Sequence, residues 1–232
     1  MSDTPRAKVE ELVPGVVHLW ILELAPQRDA ALRLHPPRSD LVSVRTARRV
    51  VARRKAREIL AGYLGVSPVR VSIGRTENGK PLLQSGLEEE LSFSLSHSGT
   101  WALLAIARRP VGVDVERLRS IPDAVALGRR FFTSAEAARL EGLGSQDLRE
   151  EAFLRTWVRK EAYLKGLGGA VPADLRRFEV EESAAGLPHI AWTQLERRGT
   201  SLWSLCDVDA PEGYAASVAV EGEIERIEHL SH

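Results

Sequence analysis

Val111-Gly112-Val113-Asp114-Val115-Glu116 repeats with a period of two. An extended chain therefore turns three valines to one face and both carboxylates to the other, about 7 Å apart. A half-buried strand with a solvated acidic face satisfies this pattern, and so does a strand offering two oxygens to one hard cation. Asp is a poor strand former, and neighbouring like charges repel unless something neutralises them. Pro110 sets this strand apart from the chain before it.

Downstream, Trp157-Val158-Arg159-Lys160-Glu161-Ala162-Tyr163-Leu164-Lys165 has helical spacing that stacks Trp157, Glu161 and Lys165 along one edge, with Lys160 about a quarter turn away. This helix is expected from about Asp147, its N-cap, to Leu167, with Gly168-Gly169 past its end. It reads either as an ordinary helix with a core Trp and an intrahelical Glu161 to Lys165 ion pair, or as a carrier of chemistry. Taken with the strand, Asp114, Glu116 and Glu161 form the oxygen set that Mg²⁺ prefers, leaving positions for phosphate and water. Lys160 and Lys165 then face the same phosphates as point charges. Thr133-Ser134-Ala135-Glu136 has capping-box spacing for a shorter helix ending near Gly142 and Gly144.

Upstream, Gly15 to Leu24 reads as a strand and Val44 to Leu64 as a basic amphipathic helix. That helix carries Arg45, Arg48, Arg49, Arg53, Arg54, Lys55 and Arg57, either binding phosphate or forming a solvated basic face. Short strands are expected at Val69 to Ile73, Leu91 to Leu95 and Trp101 to Ala107. Asn78-Gly79-Lys80-Pro81 reads as a turn presenting one lysine. Ser96 and His97 follow the strand whose Leu91, Phe93 and Leu95 face the core; His97 is then either a ligand-facing imidazole or a hydrogen-bonded core histidine. After Pro110 the order recurs, with further strands near Phe178, Ile190, Leu202 and Tyr214 to Val220. The fold class is α+β, as two similar α+β halves, 1–109 and 110–232.

The 232 residues are 44% hydrophobic and 28% charged, with 32 Lys plus Arg against 32 Asp plus Glu. A neutral balance excludes a strong global field for recruiting nucleic acid or membrane. A nucleic-acid module built on the Arg-rich helix is the alternative from another class, without a recognisable reading motif. The lone Cys206 excludes a disulfide framework and is expected as a small buried core group. Met1 to Glu11 has no apolar core of signal-peptide length, so a soluble, cytoplasmic protein is expected.

In order along the chain, the Arg-rich helix, Gly79-Lys80-Pro81, Ser96-His97-Ser98, Gly112-Val113-Asp114-Val115-Glu116, Phe131-Phe132 with Glu136, and Trp157 through Lys165 resemble the surfactin-type 4′-phosphopantetheinyl transferases, the long pseudo-dimeric class. The resemblance implies transfer of the phosphopantetheine arm of coenzyme A to a serine of an apo acyl or peptidyl carrier protein, with release of 3′,5′-ADP. It implies Mg²⁺, with Mn²⁺ as a substitute, on Asp114, Glu116 and Glu161. Arg48, Lys80, Ser96 and His97 are implied at the nucleotide end, with Arg49 or Arg53 as alternatives to Arg48 for the 3′-phosphate. Lys160 and Lys165 match the helix lysines, Lys165 neutralising the pyrophosphate. Glu161, directly or through a water on the ion, is implied to take the serine proton. The site is expected between the halves, in a monomer. Val158, and Gly168-Gly169-Ala170, depart from the family's usual Ser or Thr and Gly-x-Gly.

Overall fold

The computed structural model describes residues 12–24, 38–84, 91–169, 172–195 and 202–231; Met1 to Glu11 and the side chain of Arg45 lie outside the described residues. Strand β1 (Val16–Glu23) sends Val17 and Leu19 to one side and Trp20 and Leu22 to the other, all buried. It needs a cover on each face. Helix α1 (Arg38–Leu64) provides one, laying Ala52, Ala56, Ile59 and Leu60 against Trp20 and Leu22. The other cover is a second sheet.

The first sheet runs β11 (Arg226–Ser231), β1, β5 (Trp101–Ala107), β4 (Ser92–Ser98). Its strands pair antiparallel except β11, which lies parallel to β1 with Val16 opposite Arg226. The second sheet is β6 (Val111–Arg117), β10 (Tyr214–Glu221), β9 (Trp203–Asp207), antiparallel throughout. Val111, Val113 and Val115 of β6, with Val218 and Val220 of β10, pack on Val17, Leu19 and Leu103. Each such buried side chain contributes about 1.5–3 kcal/mol. The outer face of the second sheet is covered by α4 (Gln146–Gly166), flanked by α2 (Ala124–Phe131), α3 (Ser134–Glu141) and the hairpin of β7 (Phe178–Glu182) and β8 (Pro188–Thr193). The order across the molecule is helix, sheet, sheet, helix, the two-part α+β architecture expected. The last strand, β11, belongs to the first sheet, so the chain returns across residue 110 to complete it.

The two sheets meet along a seam between β4 and β6. Ser92, Ser94, Ser96 and Ser98 all project from β4 toward β6: the Val111, Val113 and Arg117 amides donate to Ser92, Ser94 and Ser98, while Ser96 and Ser98 donate to Asp114 and Glu116. The hydroxyls thus occupy the edge groups of β6 that no backbone strand pairs.

Several boundaries differ from the sequence reading. Residues 69–73 do not form one strand: Pro68–Arg70 is a 3₁₀ turn, and a short β2 (Ile73–Arg75) pairs with β3 (Pro81–Leu83). Pro68 starts that turn because its fixed φ suits the first helical position. Helix α4 is capped by Ser145, whose side chain accepts from the Leu148 amide, rather than by Asp147. The capping box of α3 forms as expected, Thr133 and Glu136 bonding reciprocally. Cys206 is half-buried on β9, not in the core, and burial pushes its thiol pKa up. Among the described residues no helix is long and apolar enough to cross a membrane.

Candidate active site

Strand β6 and helix α4 approach each other unusually closely because residue 112 lacks a side chain. A Cβ on Gly112 would overlap the Ala162 carbonyl and the Gly166 nitrogen of α4. With the helix lying flat on the strand, the outward carboxylates of β6 face the edge of α4 that carries Glu161 and Lys165. The period of two on β6 thus puts Asp114 and Glu116 into the space beside α4 and the valines into the inter-sheet core.

Asp114 is 4% exposed. Its Oδ1 accepts from Ser96 Oγ at 2.6 Å and from Lys165 Nζ at 2.6 Å, and Lys165 also donates to Ser96 at 2.9 Å. Its Oδ2 is buried with no hydrogen-bond partner, an arrangement that is costly unless a ligand completes it. Glu116 Oε2 accepts from Ser98 at 2.7 Å and from Arg119 at 3.1 Å. Glu161 is half-buried, and burial, then the neighbouring charges of Asp114 and Glu116, raise its pKa above the usual carboxylate range against the opposing pull of Lys165. The partner of Lys165 is Asp114, across the helix–strand contact.

These groups share a cavity of about 440 Å³ spanning the seam. One wall holds Asp114, Glu116, Glu161 and Lys165 from the second half, with Trp157 beside them. The other holds Arg49 and Arg53 of α1 and Arg75 of β2, with His97 at the end of β4. His97 is exposed and lines the cavity, so the core-histidine alternative does not hold. Arg53 has its pKa lowered by burial and by the like charges of Arg49 and Arg75. Three guanidiniums lining one wall, with Arg49 and Arg75 acting on Arg53 as like charges, suit an anion.

Three expected site residues lie elsewhere. Arg48 does not line the cavity; the helix turns Arg49 and Arg53, four apart, toward it instead. Lys160 is fully buried, its ammonium bonded to Glu136 at 2.7 and 2.8 Å and to the Phe178 carbonyl at 2.7 Å. A quarter turn from Glu161 carries it past the cavity edge and in among α3 and β7, where burial lowers its pKa to about 8 against the opposing Glu136 charge. Lys80 points into the backbone of the second half, to the Val111 carbonyl at 3.0 Å and the Gly166 carbonyl at 3.5 Å. Sequence reasoning missed Arg75 and the hold of Ser98 on Glu116; the alternating serines of β4 were the available signal for the second.

Among the described residues no three His, Cys, Asp or Glu side chains close into a metal-ready cluster. The donor set nevertheless fits Mg²⁺, which binds through one or two carboxylates together with waters and substrate phosphates rather than in an all-protein cage. The unpartnered Asp114 Oδ2 is the oxygen best placed for it.

Residues 110–219 match the 4′-phosphopantetheinyl transferase superfamily, and residues 44–109 match the 4′-phosphopantetheinyl transferase N-terminal family. The 4′-phosphopantetheinyl transferase HetI of Nostoc sp. is 36% identical over 72% of this chain and 67% of its own length. The chain belongs to the 4′-phosphopantetheinyl transferase superfamily. It is a transferase of the long type, both halves being present in one polypeptide. The 4′-phosphopantetheinyl transferase of Bacillus subtilis is 30% identical over 53% of this chain and 53% of its own length. A holo-(acyl-carrier-protein) synthase structure from Bacillus anthracis, in complex with CoA (3′,5′-ADP), aligns with 49% of the transferase chain and 96% of its own at 20% identity and a TM-score of 0.40.

Proposed function

We propose that the transferase moves the 4′-phosphopantetheine arm of coenzyme A to a serine of an apo carrier protein, with the cavity between its halves as the site. The observation that carries this is the opposition of charge in one cavity, carboxylates and Lys165 on one wall and three arginines on the other. Coenzyme A has two separated phosphate groups to match. Arg49, Arg53 and Arg75 receive the terminal 3′-phosphate, with His97 beside them, and Lys165 meets the pyrophosphate. Asp114 and Glu116, with Glu161, would hold Mg²⁺. When bound, the ion supplies charge neutralisation for the pyrophosphate.

The carrier serine Oγ forms a bond to the β-phosphorus, the bond from that phosphorus to the bridging oxygen breaks, and 3′,5′-ADP leaves with the electron pair. Glu161, which lines the same cavity as Asp114 and Lys165, receives the serine proton. Lys165 is already oriented by Asp114 and Ser96, so its ammonium needs little reorganisation to meet negative charge.

Incubation with coenzyme A, Mg²⁺ and a panel of apo acyl and peptidyl carriers tests this by intact mass. One phosphopantetheinyl group per carrier is expected on at least one member of the panel, and chelation of the metal is expected to stop the reaction. Unchanged mass across the whole panel contradicts the proposal.

A further inference from the structure

The turn joining β2 to β3 grips the end of the catalytic helix. Thr76 Oγ donates to the Gly168 carbonyl at 2.7 Å, Asn78 Nδ2 to the Gly169 carbonyl at 2.9 Å, and Lys80 Nζ to the Val111 and Gly166 carbonyls. All four acceptors belong to the second half. Gly166 ends α4 immediately after Lys165, and Val111 begins the strand that carries Asp114. One ammonium therefore fastens both acidic elements at their adjoining ends.

The turn is built to be stiff. The Gly79 amide donates to the Thr76 carbonyl at 2.9 Å, the Thr76 amide to the Lys80 carbonyl at 2.8 Å, the Lys80 amide to Thr76 Oγ at 3.0 Å, and Arg75 to the Gly79 carbonyl at 2.7 Å. Gly168 and Gly169 take positive φ of 105° and 84°, which carries the chain out of the helix with its carbonyls toward the turn. A Cβ at Gly169 would stand 3.2 Å from the Asn78 carbonyl oxygen, so the close approach also favours glycine there. Carbonyls at a helix C-terminus lack intrahelical donors and carry partial negative charge, for which a lysine is a suitable partner. Burial lowers the Lys80 pKa to about 8, the cost of holding an ammonium at this joint.

We propose that Thr76, Asn78 and Lys80 are positioning residues, a clasp from the first half that fixes where Lys165 and Glu161 stand relative to Asp114. Lys80 acts here through the backbone of the second half and not by touching the nucleotide. Arg75, at the foot of the same turn, lines the cavity, so the arginine wall and the catalytic helix are referenced to one rigid turn.

This inference rests on the transfer reaction proposed above, and the test separates the two. Wild type, Thr76→Val, Thr76→Ser, Asn78→Ala and Lys80→Met are compared for kcat on a carrier that wild type modifies, and for coenzyme A affinity by calorimetry. Thr76→Val and Lys80→Met are expected to lower kcat at least about tenfold, while affinity stays within about twofold, because misplacing reacting groups by about 1 Å costs up to ~10²-fold. Thr76→Ser keeps the donor and is expected to retain the wild-type rate. Weakened coenzyme A affinity in Lys80→Met, or unchanged kcat in both Thr76→Val and Lys80→Met, overturns the clasp. If Lys80→Met fails to fold, Thr76→Val and its serine rescue decide. A wild-type protein that modifies no carrier overturns the reaction itself, and the inference with it.

Discussion

Asp114 places its two oxygens in different circumstances. Oδ1 is engaged by Ser96 and Lys165, and Oδ2 is buried without a partner. Glu161 stands beside it with a raised pKa, so the free protein holds acidic groups that repel one another. A carboxylate whose folded pKa lies above its unfolded value loses stability as pH rises from the unfolded value through the folded one. Glu161→Gln is accordingly expected to melt higher than wild type at pH 8 without metal, the difference closing toward pH 4, while transfer falls about 10²–10⁴-fold. Thermal melts at the two pH values, with the mass assay, check both parts. Lys160 behaves differently. Its ammonium neutralises Glu136, which also accepts from the Thr133 and Val180 amides. Lys160→Ala leaves that carboxylate buried without its cation and is expected to cost about 3–5 kcal/mol in denaturant unfolding. A loss below about 1 kcal/mol would contradict this structural role.

The elements that set the site are β6 and α4, held together by the absence of a side chain at Gly112. Gly112→Ala forces the helix off the strand, with an expected cost of about 1–3 kcal/mol and about 10²-fold in transfer. Paired unfolding and rate measurements check it, and an unchanged rate contradicts the close-packing argument. Much of this level was legible in the sequence. The valine alternation located β6, the apolar run located β5, and Thr133 with Glu136 located the start of α3, since each signal is local. Longer-range facts were less accessible. Lys160 and Glu161 are adjacent in sequence, and only the packing of α3 and β7 decides that one faces the core and the other the cavity. The strand β11 carries few apolar residues and exists because β1 offers it an edge. Serines 92, 94, 96 and 98 look like an ordinary polar strand face until β6 lies across from them. Lys80 is legible as a turn lysine, but its partners are backbone carbonyls far along the chain.

At the scale of the molecule, two sheets back to back place their helices outside and leave the functional groups at the seam. Neither half holds both walls: α1 and β2 bring the arginines, β6 and α4 the carboxylates. Strand β11 and the clasp at residues 76–80 tie the halves together at separate places. The neutral total charge thus conceals a cavity divided into opposite signs, which composition alone could not reveal. In the proposed reaction, one cavity binds coenzyme A through both walls, with a divalent ion on the carboxylate side. Calorimetric titration of coenzyme A with Mg²⁺ and with chelator, in wild type and in Asp114→Ala, addresses it directly. Tighter binding with Mg²⁺ in wild type, and loss of that difference in Asp114→Ala, is the predicted result; equal affinity with and without the ion in wild type, or a Mg²⁺ effect that survives in the variant, contradicts it.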